Sequence, residues 1–361
     1  MKIAMISSGN SIHVKKIANA LVERGYEIIL FTLPNHNKLL SDFDKRITVV
    51  TLPVKGKFGY FLNASYIRKY LKKHPVDLVN SHYASGYGTL SRYVGFHPLA
   101  LAVFGSDVYE YPFRSKLNMK TMIKNLNNAD IITSTSNVMV KKVREFYDKD
   151  KEIYVTPFGV DINRFHPIEV EKDDVFEFGI VKKIEPKYGI DILIKAYKKF
   201  CGIYPEAKTR LCIYGRGSAL DEYKNLADSL GLNEKIQFKG FIQNELVPEV
   251  LSHMDVAVYS SSKNSESFGV AVVEAMACGI PVIASDASGF TEVMEDGKTG
   301  FLFPMKDIEA LVNCMVKMYE MTPEERKKMS QAGIERVRNL YDFSKNMDTY
   351  ELAIGKAIKS K

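Results

Sequence analysis

Short apolar runs alternate along this chain with longer stretches whose apolar positions recur every three or four residues. In the first half the runs are KIAMI (2–6), EIILF (27–31), VDLVNSH (76–82), LALAVF (99–104), IITST (131–135) and EIYVTPF (152–158). The stretch from Ser11 to Arg24 between the first two has helical spacing. The alternation restarts with VFEFGIV (175–181), TRLCIYG (209–215), KIQFKGF (235–241), VAVYS (256–260), IPVIAS (280–285) and GFLF (300–303), with helices predicted over 190–201 and 219–230. Strand, helix, strand repeated in this way predicts an α/β protein with parallel sheets covered on both faces.

Segment 161–174 shows neither period and carries a proline and a run of acids, so it reads as a linker. It divides a first domain, 1–160, from a second, 175–340, and a polar helical tail over 341–361 is expected to pack back on the first. Two doubly wound domains in succession imply a cleft faced by the C-terminal ends of their strands, where open α/β sheets bind ligands.

A length of 361 residues suits two cores better than one. With 46% hydrophobic and 26% charged residues the chain is globular rather than disordered. No apolar run approaches the roughly 18 residues a membrane span needs, and MKIAMISSGN reads as a first strand rather than a signal peptide. Cys201, Cys212, Cys278 and Cys314 have no CxxC spacing and read as reduced core residues, so a cytoplasmic protein is expected. The net charge of +7 is uneven: residues 1–160 carry 23 Lys+Arg against 12 Asp+Glu, the remainder 27 against 31. A basic first half suits an anionic membrane surface or acceptor, and equally an ordinary solvated surface. Nucleic acid shares only the sign of charge, since no recognised module is present, and is not expected as a partner.

The segment from Ser260 to Phe303 carries most of the chemistry. A strand ends at Ser260, a polar loop follows, and a helix is predicted from about Phe268 with Ser267 as its N-cap. Free amides at a helix start attract anions, and Gly269 would let a ligand approach the backbone. Glu266 precedes the helix, and Glu274 lies about two turns later. A carboxylate accepts two hydrogen bonds at once, which suits a vicinal diol, and a nucleotide-sugar offers a diol at each end with a diphosphate between. Glu274 alone would be an ordinary solvated helix position.

ESFGVAVVEAMACGIPVIAS resembles the signature of glycosyltransferase family 4, matching it at Glu266, Phe268, Gly269, Glu274, Ala275, Met276, Ala277, Gly279, Pro281 and Val282. The resemblance implies the GT-B fold of two Rossmann-like domains and transfer of a sugar from a nucleotide-sugar with retention at the anomeric carbon. It implies that Glu266 contacts the donor sugar, that Glu274 holds the ribose, and that the backbone of Ser267, Phe268 and Gly269 contacts diphosphate and sugar. Gly289 and Glu292 match a further family stretch in which Ser288 replaces a glycine.

A buried diphosphate needs cations. GIVKKIEPKYG (179–189) is similar to the family's Gly-Arg-Leu-x-x-x-Lys-Gly stretch, with Lys183 at the arginine and Tyr188 at the lysine. Lys183 and Lys187 are the expected diphosphate ligands, with Lys182 competing for the first role; any of them alone would read as a surface lysine. Lysine offers phosphate a point charge, not arginine's fork.

In the first half, ISSGNSIH has too few glycines for a dinucleotide fingerprint, so no nicotinamide or flavin cofactor is expected. It resembles the family's first loop, which places Gly9 and His13 at the reacting end of the sugar; a histidine at a helix start is otherwise a cap or core residue. VFGSDVYEYP (103–112) is similar to a His-Gly-x-Asp loop with Phe104 for the histidine and Asp107 retained, and PFGVD (157–161) matches the family hinge. Base contacts are expected near Phe241 and Ile242, and a UDP-sugar is favoured as donor.

No metal ion is expected. The pairs Asp42/Asp44 and Asp148/Asp150 lie in polar turns, and no zinc spacing occurs. KGKFGYFLNASYIRKYLKKH (55–74) mixes aromatic residues with Lys55, Lys57, Arg68, Lys69, Lys72 and Lys73, the make-up of one basic amphipathic helix that rests on anionic lipid or shows solvent a basic face. The expectation is a hexosyltransferase acting on a sugar or lipid-linked acceptor in polysaccharide or glycolipid synthesis, peripheral to the inner face of the plasma membrane. The alternatives are an epimerase of the same architecture and a non-catalytic sugar-nucleotide-binding subunit.

Overall fold

The structure, a computed structural model, describes residues 1–147, 149–264 and 266–359. It divides into two compact units, Met1–Phe158 with the segment from Lys345, and Gly159–Ser344.

In the first unit the strands are β1 (Lys2–Ile6), β2 (Glu27–Thr32), β3 (Thr48–Thr51), β4 (Leu78–His82), β5 (Leu99–Val103), β6 (Ile131–Ser134) and β7 (Ile153–Val155). They form one parallel sheet in the order β3-β2-β1-β4-β5-β6-β7, with Ile3 flanked in register by Ile28 and Leu78. β4 and β5 are buried along their whole lengths, as expected of parallel strands covered on both faces. β3 has no counterpart among the sequence expectations. Only Val50 of its TVVT is buried, so this edge strand lacks the apolar run that marks the others. Ser11 caps the helix Ile12–Glu23 by accepting from the Val14 amide.

The C-terminal segment is tied into the first unit by Tyr350, which is buried. Its hydroxyl donates to Asn80 Oδ1 at 2.7 Å and lies 3.1 Å from His82 Nε2, both on β4. Arg24 adds ion pairs to Asp348 at 2.6 Å and Glu351 at 3.0 Å.

The second unit contains β8 (Phe176–Val181), β9 (Thr209–Tyr214), β10 (Ile236–Gly240), β11 (Val256–Tyr259), β12 (Val282–Ser285) and β13 (Gly300–Phe303), all parallel in the order β10-β9-β8-β11-β12-β13. Each sheet therefore starts centrally, runs out to one side, and crosses over to build the other. The reversal falls between β1 and β4 in the first sheet and between β8 and β11 in the second. Loops leaving such neighbours diverge to opposite faces and open a crevice at the strand C-termini.

Two expected elements differ in detail. The stretch read as a linker lies inside the second unit, which starts at Gly159: just ahead of it Val160 bridges to Asp342, and within it Phe165 is buried. The basic stretch 55–74 is two helices, Gly56–Leu62 and Ala64–Lys73, rather than one. Buried Asn63 divides them by donating its amide to the carbonyls of Val54 and Gly59.

Candidate active site

The crevice at the reversal of the second sheet is built by two loops locked together. After β8 the chain passes through Lys182, Lys183 and Ile184 into a short turn, Pro186–Tyr188, closed by Gly189 at φ +63°. After β11 it passes through Ser260 to Ser262. The Ser262 amide donates to the Lys187 carbonyl at 2.9 Å, and the Ser260 hydroxyl donates to the Gly189 carbonyl at 2.8 Å. A β-carbon at position 189 would stand 2.1 Å from the Ser260 carbonyl oxygen, so only glycine lets the loops close.

A third loop presses on the first from the other side. The Lys182 and Ile184 amides donate to the carbonyls of Tyr214 and Arg216. β-Carbons at Gly215 and Gly217 would fall 1.9 and 2.0 Å from the carbonyl oxygens of Lys182 and Ile184. These two glycines hold the lysine loop in place, and their Gly-x-Gly spacing in GRG (215–217) was the available signal for them.

Inside the crevice Lys182 Nζ lies 3.1 Å from Glu266 Oε1, and the Ser261 hydroxyl donates to the same oxygen at 3.1 Å. Burial would lower the Lys182 pKa, but the nearby carboxylates of Glu266 and, further off, Glu274 outweigh it and raise it. Lys182 therefore carries its charge at any physiological pH and feels both signature glutamates at once. Glu274, half-buried on the helix Val270–Ala277, also helps push the Cys278 thiol up to about 12, after burial itself.

The expected lysines separate. Lys183 is exposed, whereas its competitor Lys182 faces Glu266. Lys187 is half-buried, and its ammonium lies 4.9 Å from the Tyr188 ring centre, with that of Lys182 4.6 Å from the same ring. A single aromatic ring thus collects two cations.

The helix carrying Glu274 starts later than expected. Its cap is Gly269 at φ +92°, not Ser267, because the left-handed turn there delays helical geometry until Val270. A β-carbon at 269 would meet the Phe290 ring at 2.7 Å, so packing as well as backbone conformation requires this glycine. The Phe268 ring is buried against Tyr341, leaving its backbone as the part that can serve a ligand. Gly289 steadies Glu266 from behind: its amide donates to the Glu266 carbonyl at 2.8 Å, and a β-carbon there would lie 2.6 Å from the Phe268 amide nitrogen. Ile242 is half-buried in the loop after β10, beside Phe241, over whose ring Arg216 lies at 4.4 Å.

In the first unit, His13 occupies the first turn of its helix and stacks on Phe158 at 3.8 Å between ring centres. Burial, reinforced by Lys16, holds its pKa down to about 3, so the imidazole is neutral. Phe104 packs edge-on to Phe158 and beside His82. Asp107 is buried, and its carboxylate accepts from the amides of Ala84 at 2.8 Å, Gly105 at 2.8 Å and Phe104 at 3.1 Å. Burial raises its pKa against those bonds. It clamps the loops after β4 and β5. Gly9 donates its amide to Thr32 Oγ1, and a β-carbon there would stand 2.5 Å from the His36 carbonyl oxygen. Asp42 is paired with Lys15 and Asp44 with Arg46; of the other acidic pair, Asp148 lies outside the described residues. Among the described residues no group of three or more His, Cys, Asp or Glu side chains is placed to hold a metal ion, and no helix is long and apolar enough to cross a membrane.

Two family models match the chain, "Glycosyl transferases group 1" over residues 161–336 and "Glycosyl transferase 4-like" over residues 2–136. Mannosylfructose-phosphate synthase of Agrobacterium fabrum is 24% identical, over 94% of this chain and 84% of its own length. Among solved structures, sucrose-phosphate synthase from Thermosynechococcus elongatus superposes with a TM-score of 0.84 at 20% identity, covering 100% of both chains. The Anabaena protein HepE, solved in complex with UDP, superposes with a TM-score of 0.82 at 19% identity, over 99% of this chain and 100% of that one. With its two parallel Rossmann-like sheets and its Glu266–Glu274 signature, the chain belongs to the group 1 glycosyltransferases of GT-B fold.

Proposed function

We propose that the protein moves a sugar from a nucleotide diphosphate donor to an acceptor hydroxyl, with retention at the anomeric carbon and without a metal ion. The observation that carries this reading is the meeting of Lys182 with Glu266 at the reversal of the second sheet, within electrostatic reach of Glu274. Glu266 and Glu274 suit the diols at the two ends of a nucleotide-sugar, and the ammonium between them suits the diphosphate. On this reading the amides of Ser267, Phe268 and Gly269 join Lys182, Lys183 and Lys187 in holding the diphosphate, while the backbone near Ile242 holds the base.

The bond from the anomeric carbon to the diphosphate oxygen breaks, and the cations and amides stabilise the charge left on that oxygen. The acceptor oxygen then bonds to the same carbon on the same face, and its proton passes to the departed diphosphate. His13, held neutral, serves as a hydrogen-bonding group rather than a charged one. Asp107 acts through the loops it clamps. UDP in the complex of the Anabaena protein favours a UDP-sugar. A lipid-linked or sugar acceptor at the cytoplasmic face of a membrane is supported by the exposed Phe58, Phe61 and Leu62 beside the basic helix Ala64–Lys73.

Melting curves with UDP-, GDP- and ADP-sugars, with and without EDTA, test the donor, because a ligand of the folded state raises the melting temperature. A rise that survives EDTA, with slow release of free sugar of the donor's anomeric configuration, is the expected result. No stabilisation by any nucleotide-sugar sinks the reading. Binding without hydrolysis or transfer identifies a non-catalytic subunit, and release of an altered nucleotide-sugar without acceptor identifies an epimerase.

A further inference from the structure

The first sheet has a crevice of its own. At the C-terminal ends of β1 and β4, where its order reverses, a cavity of about 400 Å³ is lined by polar and aromatic side chains. The hydroxyls of Ser8, Ser11 and Ser85 and the rings of Tyr60, Tyr83 and Tyr87 supply most of its wall. Among the described residues, no lysine, arginine, aspartate or glutamate lines it.

The wall is shaped rather than incidental. Tyr83 has a left-handed backbone at φ +67°, a costly conformation for a side-chain-bearing residue and one that gathers at ligand sites. The Tyr60 ring lies so close over Gly86 that a β-carbon there would stand 2.5 Å from it. Tyr60 and Tyr87 meet edge to face at 5.3 Å between centres.

The electrostatics of the cavity oppose an anion. His36, held 2.7 Å from the Tyr87 hydroxyl, has its pKa lowered by burial and is neutral at physiological pH. After β1, the amides of Gly9 and Asn10 in the turn and of Val14 in the first turn of the helix are taken by the hydroxyls of Thr32, Ser8 and Ser11. Beneath the turn after β4 lies the carboxylate of Asp107, bonded to the Ala84 amide and raising the Tyr83 pKa after burial. The formal charge beneath the turn that carries Tyr83 is therefore negative. An anionic ligand would lose its hydration with no cation in the wall to replace it. Hydroxyls, phenols and ring faces offer what a neutral polyol wants: donors and acceptors for its hydroxyls and flat apolar faces for its C–H groups.

We infer that this cavity binds an uncharged sugar ring; its role as the acceptor site rests on the transferase reading above. Saturation-transfer NMR on the full chain tests it with methyl and octyl β-D-glucopyranoside and N-acetylglucosamine, against glucose 6-phosphate and inorganic phosphate. The expected result is saturation of the neutral sugars, at least tenfold weaker binding in Tyr60→Ala, and a smaller loss in the milder Ser85→Ala. A preference for octyl over methyl glycoside points to a lipid-borne sugar and the reverse to a free one; either supports the inference. Preferential binding of the phosphorylated probes, or neutral-sugar signals untouched by both substitutions, overturns it. UDP is titrated separately: neutral sugars bound without UDP leave this inference standing and sink the donor reading, whereas UDP bound without neutral sugars does the opposite.

Discussion

The ammonium of Lys182 stands 3.1 Å from Oε1 of Glu266, and the two side chains are only 16% and 15% exposed. They come from loops after β8 and β11, the neighbours between which the second sheet reverses. A pair so placed is poor value for stability alone, because removing two charges from water offsets most of their attraction. On the function proposed above, the pair serves ligand exchange, the ammonium turning from carboxylate to diphosphate when donor arrives.

Lys182→Ala should therefore lower transfer by roughly 10²–10³-fold, the range for losing one preorganised charge-stabilising group. Lys183→Ala, at an exposed position, should cost only a few-fold. Donor turnover measured for both variants decides the matter, and equal losses would show that Lys183 swings inward when donor binds.

Gly289→Ala should weaken donor binding at least tenfold while leaving the chain folded. A methyl there meets the Phe268 amide and the Glu266 carbonyl, so relief has to come from the backbone carrying Glu266. By contrast, Gly202 sits in the helix Ile190–Ile203 with open space around it, and Gly202→Ala should stabilise by about 0.5–1 kcal/mol. Paired melting curves and nucleotide titrations separate the two effects.

What the sequence disclosed about this site, and what it hid, follows from how each feature is encoded. The sheet alternation was legible because buried strands write themselves locally, and Glu266 and Glu274 stood out because they fall in the stretch that resembles the family signature. The orientation of Lys182 over Lys183 was not, since adjacent residues leaving a strand point to opposite sides and only the loop at 215–217 decides which is inward. β3 was missed because an edge strand needs just one buried side chain. The helix start moved from Ser267 to Gly269 because packing against Phe290, distant in sequence, overrides the local preference for serine as a cap. The cavity of the first unit was invisible for the same reason, being assembled from turns after β1, β2 and β4.

Stability should fall as pH drops below about 6.5. His13 and His82 are both held down to about 3 by burial, so the folded chain refuses protons that the unfolded chain accepts from about 6.5 downward. Their contribution is complete above that value and is lost progressively towards 3, at a limiting slope of about 1.4 kcal/mol per pH unit for each histidine. Urea midpoints between pH 6.5 and 4.5, above the range where most carboxylates titrate, isolate the effect. His82→Phe should flatten the slope, and an unchanged slope would mean that His82 takes up its proton as readily in the folded chain as in the unfolded one.

The surface made by the helices Gly56–Leu62 and Ala64–Lys73 supplies the last test. Phe58, Phe61 and Leu62 are 75%, 49% and 60% exposed, an unusual amount of free apolar surface beside exposed Arg68, Lys69, Lys72 and Lys73. Apolar side chains that enter a lipid interface and cations that meet its phosphates form a joint signature, each cation near an anionic surface contributing about 1 kcal/mol. The protein should co-sediment with phosphatidylglycerol vesicles at low salt, lose most of that binding near 0.5 M salt where screening is strong, and ignore phosphatidylcholine vesicles. Phe58→Ser with Leu62→Ser should weaken binding at low salt without shifting the melting temperature, and Lys72→Glu with Lys73→Glu should abolish the lipid-charge preference. Sedimentation that ignores lipid charge at low salt would leave these helices as a solvated face.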